Sequence, residues 1–191
     1  MENLVTSIRS CIVCKDHLPV TPNPIFRIHP KARVIIISQA PGSIAHQSSV
    51  PWKDPGGRQL RLWLNCDEET FYDPTKVAIV PMGFCYPGKG KTGDLPPRPE
   101  CAPLWHEVVL KSMPEIKLVI LIGNYSQKYY LKRTRKKNLT ETVRHFHEYL
   151  PAVFPLPHPS PRNRFWLTKN PWFDTEVVPM LQYAFAKAVS D

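Results

Sequence analysis

Four short apolar runs constrain this chain more than any other feature: Arg33 to Gln39, Val77 to Met82, Lys117 to Gly123 and Ala152 to Leu156, each ending in Gly, Pro or a polar loop. Runs of this length bounded by turn residues read as buried strands. Between and after them, Gly57 to Cys66, Glu100 to Ser112, Tyr125 to Leu131, Leu139 to Tyr149 and Asp174 to Val189 carry apolar residues at three- and four-residue spacing. These read as helices, with Asp174 and Thr140 as candidate N-caps. Strands alternating with helices imply right-handed crossovers and an α/β fold whose parallel sheet is covered on both faces. In such sheets ligands bind at the carboxyl ends of the strands. The loops after the strands are therefore where chemistry is expected.

With 191 residues, one domain spanning 1–191 suffices to bury a continuous core. Lys and Arg number 25 against 16 Asp and Glu, a net charge of +9 that suits a polyanion such as nucleic acid. No run of about 20 apolar residues occurs, and the N-terminus lacks the order of a secretory signal. A cytoplasmic monomer without membrane attachment is expected. The 22 prolines cluster in segments such as Pro96 to Pro99 and Pro155 to Pro161, which points to ordered loops around a small sheet.

In a reducing compartment paired cysteines suggest metal or redox chemistry before disulfides. Cys11 and Cys14 form a C-x2-C pair ahead of the first strand, and Cys85 and Cys101 lie in the long loop after the second. Four thiolates of this kind suit either zinc or an iron–sulfur cluster; the alternative is four unconnected buried thiols. A thioredoxin-like pair is disfavoured, because that motif belongs at a strand-to-helix turn. Cys66 ends a helical run and reads as core.

The first strand breaks into Gln39-Ala40-Pro41-Gly42, followed by Pro51-Trp52-Lys53-Asp54-Pro55-Gly56-Gly57. The last breaks into Pro157-His158-Pro159-Ser160-Pro161-Arg162-Asn163. Together these segments resemble the two signature motifs of the uracil-DNA glycosylase superfamily. The first is similar to the iron–sulfur branch, the second to the single-strand-selective branch. The resemblance runs from Cys11 to Trp172. It implies a three-layer α/β/α sandwich around a four-stranded parallel sheet, and a 4Fe-4S cluster on Cys11, Cys14, Cys85 and Cys101, with zinc, or no metal in the purified form, as the alternatives.

The same resemblance implies roles in excising a damaged base from DNA. Such a reaction takes the base out of the stack, breaks the N-glycosidic bond through a cation-like sugar and stabilises the departing base as an anion. His158 is the expected donor to the base oxygen that gains charge. Trp52 matches the aromatic platform for the flipped base, where stacking contributes ~1–3 kcal/mol. Ala40, Pro41, Gly42, Gly83, Phe84, Ser160 and Asn163 are expected around the base and its phosphates. Arg162 stands with Asn163 where the family inserts a wedge into the duplex.

Two positions depart from the pattern. Ala40 replaces the Asp or Asn that other branches use to position water, and the neighbouring acids of the iron–sulfur branch correspond to Gln39 and His46, which become candidate water-orienting residues. Pro81 falls where that branch reads uracil with Asn. Base recognition must then come from elsewhere, including the backbone of Met82 to Phe84, or the preferred base is hypoxanthine or xanthine. A damage-binding protein with little turnover is the reading from a different class. The basic run around Arg133, Arg135 and Lys136 is expected to touch phosphates. Lys53 is the only lysine in the two motif loops, so no Schiff-base nucleophile is evident.

Overall fold

The computed structural model describes residues 1–190; the domain expected over 1–191 extends beyond it only at Asp191, which lies outside the described residues. The four apolar runs form strands β1 (Val34–Ile37), β2 (Val77–Ile79), β3 (Leu118–Ile122) and β4 (Val153–Leu156). All pair in parallel in the order β2-β1-β3-β4. Register aligns Val34 with Val77 and Leu118, and Val119 with Val153. The expected four-stranded parallel sheet is present.

Helices α1 (Glu2–Arg9), α2 (Ser43–Ser48), α3 (Pro55–Leu64), α4 (Glu68–Tyr72), α5 (Cys101–Lys111), α6 (Gly123–Leu131), α7 (Leu139–Arg144), α8 (Arg164–Lys169) and α9 (Val178–Ser190) surround it. Because successive strand residues point to opposite faces, β1 serves two cores. Val34 and Ile36 pack with Leu60 and Trp63 of α3 and Leu181 and Phe185 of α9. Ile35 and Ile37 pack with Ile8 of α1, Ala102 and Val109 of α5 and Leu131 of α6. Two helical layers thus enclose the sheet, giving the three-layer α/β/α sandwich.

Local chemistry moves several boundaries. Helix α3 starts at Pro55 rather than Gly57, because the Asp54 carboxylate accepts from Gly57 N at 2.9 Å and proline suits the first turn. Asn138, not Thr140, caps α7, accepting from Glu141 N at 2.8 Å, while Thr140 accepts from Trp166 Nε1. The expected helix Leu139 to Tyr149 divides into α7 and a 3₁₀ turn, Phe146–Tyr149. Asp174 is not an N-cap; it lies inside a π-helical turn, Phe173–Val177, that leads into α9.

Candidate active site

The segments leaving β1, β2 and β4 meet at the carboxyl ends of the strands. The first two remain paired past the regular ladder, with Met82 N donating to Ser38 O at 2.8 Å and Gly83 N to Gln39 O at 3.0 Å. The fully buried Gln127 of α6 donates to Leu156 O at 2.9 Å and so holds the end of β4 where the second motif loop begins. Between these segments opens a cleft. Ala40, Pro41 and Gly42 line it from the first loop, Trp52 and Asp54 from the segment before α3, Pro81 from the segment after β2 and His158 from the loop after β4.

Trp52 is only 8% exposed and has a left-handed backbone, φ 59°. Its ring centroid lies 5.4 Å from that of His158. Burial pushes the His158 pKa below the ordinary histidine range, partly opposed by the nearby Asp54 carboxylate. Neutral imidazole is therefore the resting form at pH 7, a hydrogen-bond donor that keeps its proton. Asn163 Nδ2 donates to His158 O at 2.6 Å, bracing the loop that carries the ring.

Several expected site residues stand elsewhere. Gln39 is committed to Leu95, its Nε2 donating to the carbonyl at 3.1 Å. His46 lies on α2 with its ring 5.9 Å from Tyr86. Gly83 and Phe84 line a different cavity, and Phe84 stacks between Phe26 and His106. Ser160 borders an outer groove with Arg58 and Arg164, and its Oγ accepts from Arg162 N at 3.3 Å. Arg162 donates to Thr92 O at 3.0 Å. In the basic run, Arg135 donates to Asn124, Lys136 pairs with Glu148 at 2.6 Å and Arg133 stays exposed. Helix α6 returns antiparallel to β3 and leads this run toward the amino ends of the strands; Tyr149, just ahead of β4, donates to Thr134 O. Lys53 is exposed beside Glu68.

Four features escaped the sequence reading. Asp54 and Asp94 both line the cleft. Phe165, 83% exposed, stands just past the second motif loop. Behind Pro81, buried His106 meets Pro81 O through Nε2 at 3.1 Å, and Tyr130 through Nδ1. Since a carbonyl only accepts, Nε2 carries the hydrogen and Nδ1 accepts from the tyrosine. The Asp-Pro pair at 54–55 is a helix-start signal that could have exposed Asp54; Asp94 had no local signal.

A second cavity is lined by Cys11, Cys14, Cys85 and Cys101 together with Leu18, Phe84 and Trp105. All five cysteines are free thiols. The segment after Cys14 reaches the edge of β2, where Arg27 and Ile79 exchange backbone hydrogen bonds and Ile25 N donates to Phe84 O at 2.8 Å. That pairing brings the N-terminal pair to the loop after β2. Phe84 N approaches Cys101 Sγ at 3.3 Å. Burial pushes the Cys85 thiol up to about 11 and Cys101 to about 12. Among the described residues no three His, Cys, Asp or Glu side chains stand close enough to hold a single metal ion. No helix among them is long and apolar enough to cross a membrane.

Fold and cleft together define an α/β protein with a cleft at the carboxyl ends of a four-stranded parallel sheet, lined by an aromatic side chain and a half-buried histidine. Residues 26–182 match the family model described as the Uracil DNA glycosylase superfamily, and the chain belongs to that superfamily, whose members act on DNA as glycosylases.

Proposed function

We propose that this chain is a monofunctional DNA glycosylase of base excision repair that removes a deaminated base, uracil first, and leaves an abasic site. The observation that carries this reading is Trp52 and His158 facing one cleft at the strand ends. A base swung out of the duplex lies on the indole, and the neutral His158 N–H donates to the base oxygen on which charge collects as the glycosidic bond opens. Water completes the hydrolysis. Lys53 points to solvent beside Glu68, which supports a reaction without a Schiff base.

For DNA contact at the cleft, Arg58 and Arg164 flank the groove beside the second motif loop, while Arg133 is exposed in a basic run that lies toward the other ends of the strands. Exposed Phe165 is suited to wedge between bases, since Arg162 and Asn163 are engaged within the protein. Ser160 remains available to a phosphate. The enzyme is proposed to act as a cytoplasmic monomer, where its free thiols stay reduced.

Cys11, Cys14, Cys85 and Cys101 would hold a 4Fe-4S cluster of the kind the iron–sulfur branch carries. Their shared apolar cavity and the amide directed at Cys101 fit that group. When bound, the cluster supplies a structural tie between the N-terminal segment and the loop after β2.

Pro81 supports a second reading in which the base is hypoxanthine or xanthine. It lines the cleft without a side-chain donor, and its carbonyl already accepts from His106. The test is incubation of the purified protein with oligonucleotides carrying uracil, hypoxanthine or xanthine, followed by alkaline cleavage at abasic sites. Uracil release is expected; release of only a purine selects the second reading. Tight damage-specific binding without release of any base would contradict both and indicate a damage-binding protein.

A further inference from the structure

The first motif carries Ala40 where other branches carry a water-positioning Asp or Asn, and the structure brings a carboxylate to the same cleft from a separate loop. Residues 88–95 fold back as a small hairpin. Lys89 and Asp94 form an antiparallel bridge, Gly90 N donates to Gly93 O at 2.6 Å, and Leu95 N donates to Gly88 O at 2.8 Å. Both motif loops grip this hairpin: Gln39 Nε2 donates to Leu95 O at 3.1 Å, and Arg162 Nη1 to Thr92 O at 3.0 Å. The grip sets Asp94 at the cleft opposite Gly42, where a Cβ would lie 3.4 Å from Asp94 Oδ2. Asp54 Oδ2 lies 3.9 Å from the same point. Asp54, however, already caps α3 through Oδ1, which accounts for its presence. Asp94 caps no helix.

We infer that Asp94 is the catalytic carboxylate of this cleft, orienting the attacking water and facing the cationic sugar, with Gln39 and Arg162 as its positioning residues. The inference rests on the glycosylase reading above. The bond from sugar C1′ to the base nitrogen breaks and its electron pair leaves with the base, held at its oxygen by His158. The water oxygen bonds to C1′, its proton passes to Asp94, and Asp94 returns that proton to the departing base or to solvent. One water is consumed and Asp94 is regenerated.

The test compares the full-length wild-type protein with Asp94→Asn and Asp54→Asn, near-isosteric changes, by two measurements. One is single-turnover excision at saturating enzyme. The other is the affinity ratio for two uncleavable abasic analogues in DNA, a cationic pyrrolidine and a neutral tetrahydrofuran. Asp94→Asn is expected to slow excision about 100-fold and to cut the preference for the cationic analogue about tenfold, because a lost carboxylate weakens attraction for the cation alone. A merely structural role for the hairpin would weaken both analogues alike. Wild-type excision and an unchanged ratio in Asp94→Asn would overturn the inference while leaving the glycosylase reading intact, and loss confined to Asp54→Asn would transfer the role to Asp54. If the wild-type protein releases none of the three bases, the glycosylase reading fails and the Asp94 assignment fails with it.

Discussion

The indole of Trp52 and the imidazole of His158 stand 5.4 Å apart between centroids, with planes inclined by 32°. Two stacked layers need roughly 3.5 Å each, so a base cannot be sandwiched between them. It must lie face to face with Trp52 and present an edge to His158, which divides the work of the pair. Trp52→Ala should therefore weaken capture of damaged DNA by about tenfold or more, in keeping with ~1–3 kcal/mol per stacked base. The defect should be partly rescued when enzyme saturates the DNA. Titrations and single-turnover rates on the same substrate measure the two effects.

That platform depends on a close approach behind it. A Cβ at Gly57 would sit 1.8 Å from the Trp52 carbonyl oxygen, and Trp52 itself has φ 59°. Gly57→Ala should cost about 1–3 kcal/mol or more and disturb the indole. Gly56→Ala, whose nearest clash is 3.1 Å from an Asp54 side-chain oxygen, should cost less. Denaturant unfolding of the two variants measures the difference; equal midpoints would contradict it.

Acid should weaken the wall behind Pro81. His106 is 2% exposed, and burial pushes its pKa down to about 4, the hydrogen bond to Pro81 O opposing only in part. Below its unfolded value of about 6.5 the unfolded chain takes up a proton that the folded chain refuses. This contribution to stability is thus fully present above about pH 6.5 and is lost progressively toward pH 4. The depression corresponds to roughly 3 kcal/mol. His106→Gln removes the titrating group, so its stability relative to wild type should improve by up to that amount as pH falls through this window. Parallel pH–stability curves for the two proteins would contradict the assignment.

Much of this was legible in the chain. The strands and both motif loops declared themselves because buried parallel strands are nearly all apolar and end abruptly at Pro and Gly. Trp52 and His158 could be placed at the cleft because each lies next to such an ending. The positions of Gln39 and Asp94 were not legible. Both are set by contacts between residues more than 50 positions apart, Gln39 with Leu95 and Arg162 with Thr92, inside a Gly- and Lys-rich segment that reads locally as a connector. Gly83 and Phe84 were misplaced for the same reason: the pairing of Ile25 with Phe84 turns that backbone toward the cysteines.

The proposed cluster makes a prediction separate from catalysis. Protein purified without oxygen should be brown, with iron and sulfide in about fourfold excess over chain. Cys85→Ser should lower thermal stability before it alters the excision rate of molecules that remain folded, because a lost ligand frees two distant segments together. Equimolar zinc without iron would contradict the cluster.

The most direct test of the account is single-turnover excision by His158→Ala at saturating enzyme. A donor that acts on charge present only in the transition state affects rate more than affinity, and losing one typically costs ~10²–10³. A fall of about that size that no excess of enzyme restores is expected, with affinity for undamaged DNA nearly constant. Excision by His158→Ala at the wild-type rate under saturation would contradict it.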